Sequence, residues 1–507
     1  MSLTKATYAM IDGAPVNVLD FGAIGDGVAD DTTAIQNAIN ASSNVYIPEG
    51  TYLVTKALQI LSSKTIYGAG VGGTIIKRTS TTPETINGAS VVAILYTGGS
   101  SVKVSDLELL GETTAVNGIF FGLDGTLVTN NSSFNNIAIG DCFGAIKDSA
   151  GPYMTSFTNV RATSCNSGFV FDGSFFKTSL TFTNCWAENC GQGWLFNLTY
   201  YSVLNSCGAD YCNYTSTGNP YGTGYGARNT ANGIYDITSS QITFNSCAAE
   251  NSYGNGIFRT VGNSDVVINS PFSNICFSTF VPDYTTYPNF GVGPIQTDQG
   301  YSAITINSPR LTWQNTEVAT NYPTKPQATL VAFNYSEVTY GVQNTKMVVV
   351  NSVRLDCSVA NLFAGQGNYA KYCVVSWANY SNPSVIGNAT HVNNTSIPVN
   401  ITGSGTIITI PFVSQGAVNI KHLLNFYGFN TDSNAINTYP FTGIAGAKSL
   451  TSVTNVTSGN LFGVTSVTSS GLNLLITLSN TVVNPQVYFN VMSENVALIN
   501  FSGITIA

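Results

Sequence analysis

The sequence predicts an all-β protein built as a parallel β-helix, with a short N-terminal capping helix and a C-terminal antiparallel β domain. Three observations predict this fold class. A short motif recurs through the middle of the chain, the repeated units lack a helical i, i+3, i+4 stripe, and the last part alternates Ile, Val and Thr between Gly and Asn turns. A repeat architecture also explains how 507 residues form few domains.

Each repeat begins with an aliphatic or aromatic anchor that is followed by a small polar pair. Four of the steps between successive anchors are 22–25 residues and three are longer, which leaves room for insertions. A unit of about 23 residues holds three short strands and three turns, with neighbouring coils roughly 4.8 Å apart. The anchors are Phe134, Phe157, Phe182, Leu204, Phe244, Ile268, Ile306 and Val350.

Equivalent positions in successive units are therefore expected to stack in files. Two residues after the anchors lie Asn or Ser residues that predict a bend, and the next position holds Pro271 and Pro309, which suit the start of a strand.

Eight of the ten cysteines fall in two files. We predict that they are reduced, because the coil spacing exceeds the roughly 3.8 Å between the Cβ atoms of a disulfide. The two files are Cys185, Cys207 and Cys247, and Cys142, Cys165, Cys190, Cys212 and Cys276.

The two ends of the chain differ from the repeats. Asp30-Asp31-Thr32 precedes an apolar pattern over residues 34–39, which predicts an Asp- or Thr-capped helix that closes the end of the solenoid. Beyond about Ser384 the repeat register is lost. We therefore expect an N-terminal segment over residues 1–55, a parallel β-helix over 56–390 and a β-rich domain over 391–507.

Composition and charge exclude several functions. Only 9% of the residues are charged and the net charge is −8, so the composition lacks the excess of Lys and Arg that nucleic-acid binding requires. No apolar run reaches roughly 18 residues, and the first residues lack the pattern of a signal peptide. No C-x-x-C pair, phosphate-binding loop or recurring ligand cluster is present. We therefore expect no membrane insertion, metal or cofactor.

The N-terminal motif resembles that of a known family. Residues 16–39 read VNVLDFGAIGDGVADDTTAIQNAI and residues 45–54 read VYIPEGTYLV. These two segments resemble the N-terminal sequence of pectate-lyase-like right-handed β-helix proteins, above all of bacteriophage tailspikes and capsule depolymerases. Asp26, Asp30 and Asp31 belong to this motif and are interpreted as structural.

The resemblance, which together with the repeat covers residues 16–390, implies a biological setting. Such proteins are homotrimers of side-by-side β-helices, attached to a virion through the N-terminus, either to the phage tail or to another spike. They act at the host surface, where they bind or cut a capsular or lipopolysaccharide glycan. The C-terminal domain would then serve trimerisation or carbohydrate binding.

Six residues after their anchors, three units carry an acid: Glu188, Asp210 and Glu250. The preceding alanines are expected to point inward, so the acids point outward and stack on neighbouring coils. A carboxylate pair is what glycosidic cleavage needs, and stacked like charges raise a pKa toward that of a general acid. The alternative is a solvated acidic face or a ladder at a trimer interface.

The surroundings of these acids favour a glycan site. Trp186 and Arg161 occupy the outward file two residues earlier, and Asp236 is a reserve acid. An insertion over residues 213–228 supplies Arg228 and three tyrosines that can stack on sugars, although such loops also pack at subunit contacts. These tyrosines are Tyr214, Tyr221 and Tyr225. A second insertion over residues 277–301 is the competing location, with Tyr284, Tyr287, Phe290, Asp283 and Asp298.

Three functions remain open at this point. The first hypothesis is a hydrolase that uses Glu188, Asp210 and Glu250. The second is a polysaccharide lyase, which needs a base beside a uronate. Both histidines, His391 and His422, lie outside the acid-bearing units, which favours hydrolysis. The third is a non-enzymatic adhesin on the same scaffold.

Overall fold

The computed structural model describes residues 14–112, 115–212, 235–250 and 258–274, and beyond them separate strands and short segments between 295 and 507. The chain divides into two compact units, Met1–Phe280 and Val281–Ala507. Parallel pairing dominates the first unit, and the second holds both parallel and antiparallel strands. The predicted fold class, a parallel β-helix followed by antiparallel strands, is confirmed.

Two parallel sheets form the first unit, and we name them sheet A and sheet B. The strands of sheet A are Val16–Asn17, Asp26–Asp30, Asn44–Tyr46, Gly50–Val54, Thr65–Tyr67, Thr74–Arg78, Lys103–Gly111, Ser133–Gly140, Ser156–Thr163, Thr181–Thr183, Trp186–Glu188, Ser202–Asn205, Gly208–Asp210, Gln241–Asn245, Ala248–Glu250, Ser264–Asn269 and Phe272–Asn274. The strands of sheet B are Leu58–Ile60, Ala93–Thr97, Asn117–Phe121, Gly144–Asp148, Ser167–Phe171, Trp194–Asn197, Tyr235–Thr238 and Phe258–Val261.

Three short ribbons complete the first unit. Two are antiparallel and one is parallel. The antiparallel ribbons pair Glu84–Ile86 with Ala89–Val91 and Leu123–Asp124 with Leu127–Val128, and the parallel ribbon pairs Lys177–Thr178 with Thr199–Tyr200.

The predicted register of the coils is confirmed residue by residue. Phe134 pairs with Phe157, Phe157 with Phe182, and Phe182 with Leu204. Leu204 then pairs with Phe244, so the step of 40 residues is one coil that carries an insertion. These five anchors are buried, and the rings of Phe157 and Phe182 stack with centroids 4.7 Å apart. The repeated apolar positions therefore build a continuous core along these coils of the first unit.

The Asn and Ser file forms a bend inside sheet A, as predicted. Seven members of this file have a positive φ and adopt the left-handed conformation. A short polar side chain is tolerated there better than a bulky one. Asn184 also donates to Asn159 at 2.7 Å, which links neighbouring coils at the corner. Pro271 follows the bend and directly precedes the strand Phe272–Asn274, as expected for a residue without an N–H. The φ values are 51° at Asn136, 53° at Asn159, 52° at Asn184, 51° at Ser206, 50° at Ser246, 48° at Ser270 and 49° at Ser308.

Substitutions at Ser206 test this bend, because its side chain is exposed and its φ is 51°. We expect Ser206→Gly to leave the free energy of unfolding nearly unchanged, since glycine adopts a positive φ readily. Ser206→Val should lower it by roughly 1–2 kcal/mol, because a β-branched residue clashes with its own backbone there. Urea titration of the two variants measures the difference. Equal stability of the glycine and valine variants would contradict the bend.

The described members of both cysteine files are buried in the core, and no disulfide joins them. Hydrogen bonding to Cys142 and Cys190, together with burial, raises the pKa of the Cys165 thiol. These contacts show that the members of the file lie next to one another. The prediction of reduced thiols is therefore confirmed for the cysteines within the described ranges, while Cys276 and Pro309 lie outside them.

The predicted N-terminal helix spans Thr32–Ala41 and buries Ile35, Ala38 and Ile39. Asp31 is the N-cap residue, but its carboxylate makes no capping bond and accepts instead from the amides of Ile24 and Gly25. Asp30 accepts from the amide of Thr32. Asp26 accepts from the amides of Val28 and Ala29. These backbone contacts support the interpretation of the three aspartates as structural.

In the second unit, the strand pairing changes from parallel to antiparallel along the chain. The parallel strands are Ile295–Thr297, Ser302–Asn307, Arg310–Thr312, Thr329–Phe333, Met347–Leu355, Asn361–Gly365 and Cys373–Trp377. The antiparallel strands are Ile397–Asn400, Ser404–Val413, Ile420–Asn430, Ser433–Ala445, Leu450–Asn455, Val464–Ser470, Asn473–Val483, Gln486–Ser493, Leu498–Ile499 and Thr505–Ile506.

The pairing changes between residues 377 and 397, a range that includes the predicted boundary at 390/391, although the compact units divide at 280/281. The domain boundaries remain a prediction. Within the described ranges, no helix is both long and apolar enough to span a bilayer.

Candidate functional site

Glu188, Asp210 and Glu250 stand in one file on three consecutive coils, and we name them the acid ladder. Glu188 pairs in register with Asp210, and Asp210 pairs with Glu250. The residues before them, Ala187, Ala209 and Ala249, are fully buried, while the acids are partly exposed. With parallel strands about 4.8 Å apart, the backbones of the two end members are about 10 Å apart. The predicted stacking of the acids is thus confirmed, while their catalytic roles remain a prediction.

Two electrostatic features distinguish the members of the ladder. Burial, and secondarily the negative charge of Asp210, raise the pKa of the Glu250 carboxyl above the ordinary glutamate value. Glu188 instead forms an ion pair with Arg161, which lies one coil earlier. The ladder therefore places a carboxyl with a raised pKa at one end and a charge-paired carboxylate at the other.

A second outward file lies two residues before the ladder and places the ring of Trp186 beside it. Arg161 pairs with Trp186, and Trp186 pairs with Gly208. A Cβ atom on Gly208 would lie 2.2 Å from the ring of Trp186, so the indole lies directly over this glycine. The absence of a side chain at position 208 makes room for the ring next to the acids.

On the coils before the ladder, the same face of sheet A forms a groove of ≈ 550 Å³, which we name the upstream groove. Ala138, Gly140 and Thr163 line it, as do two acids, Glu108 and Asp141, and Arg161. Gly140 pairs with Thr163, and Thr163 pairs with Glu188, so the groove shares a file with the acid ladder.

Sequence reasoning missed the upstream groove, although a signal for it exists. Val104 pairs with Phe134, and Val104-Ser105-Asp106 is a further copy of the anchor motif. Asp106 occupies the bend position with a φ of 59°. Extending the anchor search by one coil would have placed Glu108 on the outward face.

The other predicted site residues lie elsewhere. Asp236 belongs to the strand Tyr235–Thr238 of sheet B, where it pairs with Leu195 and Arg259. Its strand is therefore in a different sheet from the acid ladder. Tyr214, Tyr221, Tyr225 and Arg228 lie outside the described residues, as do Asp283, Tyr284, Tyr287, Phe290 and Asp298. In the described parts of the chain, no three His, Cys, Asp or Glu residues are grouped as metal ligands.

The raised pKa of Glu250 predicts a pH dependence if this residue is a general acid. Its protonated fraction falls as the pH rises through its pKa, so activity should fall on the alkaline side of the profile. Because the pKa is raised, this alkaline limb of the pH profile should lie at a pH above the ordinary pKa range of glutamate. Glu188→Gln should leave the position of the limb unchanged, since burial and Asp210 cause the shift. A limb at the ordinary glutamate value, or one that moves in Glu188→Gln, would contradict this assignment.

Comparisons with known proteins agree with this fold. Residues 15–195 match the family model of rhamnogalacturonase A/epimerase, pectate lyase-like proteins. Among solved structures, the Acinetobacter phage vb_AbaP_AS12 gp42 tailspike matches with a TM-score of 0.53 at 15% identity, over 89% of this chain and 84% of that chain. Geobacillus virus E2 ORF18 matches with a TM-score of 0.51 at 15% identity, over 92% and 78%. The chain thus has a pectate-lyase-like β-helix fold that a phage tailspike shares.

Two curated relatives match over short segments of the chain. Mannuronan C5-epimerase AlgE5 of Azotobacter vinelandii is 40% identical over 115 residues, 20% of this chain and 11% of the relative. The pre-neck appendage protein of Bacillus phage phi29 is 30% identical over 130 residues, 25% of this chain and 15% of the relative. The chain therefore spans a small part of the length of these two relatives.

Proposed function

We propose that this chain is a phage tailspike depolymerase that binds and hydrolyses a bacterial surface polysaccharide, either capsule or O-antigen. The acid ladder is the single observation that carries the proposal, because carboxylates on adjacent coils supply the pair that glycosidic cleavage needs. The similarity to a tailspike, to a phage appendage protein and to a polysaccharide epimerase supports the setting. The chain would be a virion component that acts at the surface of the host bacterium.

In the proposed reaction, Glu250 protonates the leaving oxygen and Asp210 serves as the second carboxylate. Burial and the charge of Asp210 keep Glu250 protonated to a higher pH, which suits a general acid. Glu188 is held by Arg161 and orients the polymer. Trp186, which lies over Gly208, offers an aromatic surface on which a sugar ring can stack.

A lyase is the second candidate and is favoured less by the described residues. Elimination needs a base beside the uronate, together with a cation that neutralises its carboxylate. Arg161 lies one coil before the ladder, and its charge is paired with Glu188. His422 lies in the strand Ile420–Asn430 of the second unit, and His391 lies outside the described residues.

The proposal includes an assembly. Three copies would form a homotrimer of side-by-side β-helices, and residues 391–507 would trimerise the spike or bind carbohydrate. The N-terminal region would attach to the phage tail or to another spike protein. Mass photometry of the purified chain should give three times the chain mass of 53.5 kDa, and a monomer would contradict this part of the proposal.

Digestion of a panel of purified capsular and O-antigen polysaccharides tests the activity. We expect one polymer to be shortened with new reducing ends, and amide substitution at each position of the acid ladder to slow that cleavage while binding is retained. An unsaturated uronate in the products would favour the lyase. Binding without shortening of any polymer would favour the non-enzymatic adhesin.

A further inference from the structure

We infer that the upstream groove binds the polymer on its way to the acid ladder, and that this polymer is neutral, built of sugars without carboxylate, sulfate or phosphate groups. This inference rests on the proposed function and names its substrate class. Its first support is continuity. Gly140, Thr163 and Glu188 occupy one outward file on successive coils, so a chain lying along the sheet passes from the groove to the ladder.

The shape of the groove suits a sugar chain. Ala138 carries only a methyl group, so the groove is open at this outward position, and Thr163 lies on the next coil. Gly140 forms part of the floor under the side chain of Leu110, whose Cδ2 would lie 2.9 Å from a Cβ atom at position 140. Leu110, on the preceding coil, pairs with Gly140. From the coil of Leu110 to the coil of Thr163 is about 10 Å.

The charge on this face disfavours an anionic polymer. The groove is lined by the acids Glu108 and Asp141, and two further acids of the ladder, Asp210 and Glu250, follow it. Among the described residues that line the groove, Arg161 is the one cation, and its charge is paired with Glu188. Lys77 lies further along the same file and is paired with Glu112. A cleft lined mainly by one sign of charge repels ligands of that sign.

The same groups suit neutral sugars, which present many hydroxyl donors. Carboxylates accept hydrogen bonds from hydroxyl groups through both oxygens, as Glu108 can at the groove. Asn136 and Asn159 line the corner of the groove, where Asn136 donates to Asp106 at 2.8 Å. Asn159 accepts from Asn184, which orients its amide. The groove thus offers ordered polar groups without a surplus of positive charge.

The first test compares matched polymers on the full chain. Neutral and uronate-containing bacterial polysaccharides are assayed for binding and cleavage at low and high salt, and each uronate polymer is assayed again after chemical reduction of its carboxyl groups. We expect the cleaved polymer to be neutral and its binding to change little with salt. Preference for a uronate polymer over its carboxyl-reduced form would overturn the inference.

Two pairs of variants locate the effect in the groove. Ala138→Trp fills the groove and should weaken binding of the cleaved polymer about tenfold or more. Thr181→Trp should not weaken it, because Thr181 is exposed on the strand Thr181–Thr183, in the part of sheet A that precedes the Asn and Ser bend. Glu108→Lys should raise binding of uronate polymers at low salt by about tenfold. Asp172→Lys, just past a strand of sheet B, makes the same charge change and should have no such effect. Equal effects within either pair would overturn the inference.

This design separates the inference from the proposed function. If a uronate polymer is cleaved and Glu250→Gln abolishes that cleavage, the acid ladder stands and the neutral-substrate inference fails. If Ala138→Trp weakens binding but no polymer is cut, the groove stands and the proposed hydrolysis fails.

Discussion

Replacement of Glu250 by glutamine is expected to lower kcat for polymer cleavage by roughly 10²–10⁴-fold, the usual contribution of a general acid. The amide keeps the size of the side chain and can still form hydrogen bonds, but it has no acidic proton that it can transfer to the leaving oxygen. Binding of the polymer should change little, because its contacts extend over the upstream groove. Reducing-end assays and affinity electrophoresis of the variant measure the two effects separately.

The matched control for this prediction is Asp265→Asn, on the strand Ser264–Asn269, in the part of sheet A that precedes the Asn and Ser bend. It makes the same acid-to-amide change on a neighbouring coil and should leave kcat unchanged. Full activity of Glu250→Gln, or an equal loss in both variants, would remove Glu250 from the role of general acid.

The second large effect concerns a buried ion pair between Lys177 and Asp148. Both side chains are inaccessible to solvent, and the Lys177 Nζ lies 3.3 Å from the Asp148 Oδ2. Lys177 also donates to the carbonyls of Gly173, Phe175 and Asn197, which ties a loop to the body of the solenoid. Burial raises the pKa of Asp148 and lowers that of Lys177, while the attraction between them opposes both shifts.

Lys177→Met is expected to lower the free energy of unfolding by roughly 3–5 kcal/mol, because it leaves a buried carboxyl without its partner. The neighbouring pair of Lys147 and Asp172 is partly exposed, with 26% and 42% of the side chains accessible. Lys147→Met should therefore cost about 0–1 kcal/mol. Urea titration of the two variants compares them directly.

A further substitution keeps this prediction testable if Lys177→Met fails to fold. The double variant Asp148→Asn with Lys177→Met removes the orphaned charge and should regain part of the stability. Equal destabilisation by the Lys147 and Lys177 substitutions would show that burial does not set the strength of the pair.

Sequence reasoning succeeded where distance along the chain converts directly into a neighbouring position. In a solenoid, residues one coil apart lie side by side, so the alignment of Phe157, Phe182 and Leu204 also placed Glu188 beside Asp210. The left-handed bend followed from the same alignment, because Asn and Ser tolerate a positive φ.

Sequence reasoning failed where contacts depend on corners and loops. Lys177 and Asp148 belong to adjacent coils but do not pair in register, and nothing periodic in the sequence connects them. Asp31 precedes the helix as a cap should, yet its carboxylate turns to the amides of Ile24 and Gly25. Local propensity gives the helix, whereas the fold of the preceding turn decides which amides the carboxylate meets.

The mass of the products tests the central claim, hydrolysis by the acid ladder, most directly. Mass spectrometry of the oligosaccharides released from the cleaved polymer shows whether one water is gained at each cut. We predict saturated products that carry one added water per cleaved bond, and loss of these products in Glu250→Gln. Products that lack the added water and carry an unsaturated end would contradict hydrolysis by these carboxyls.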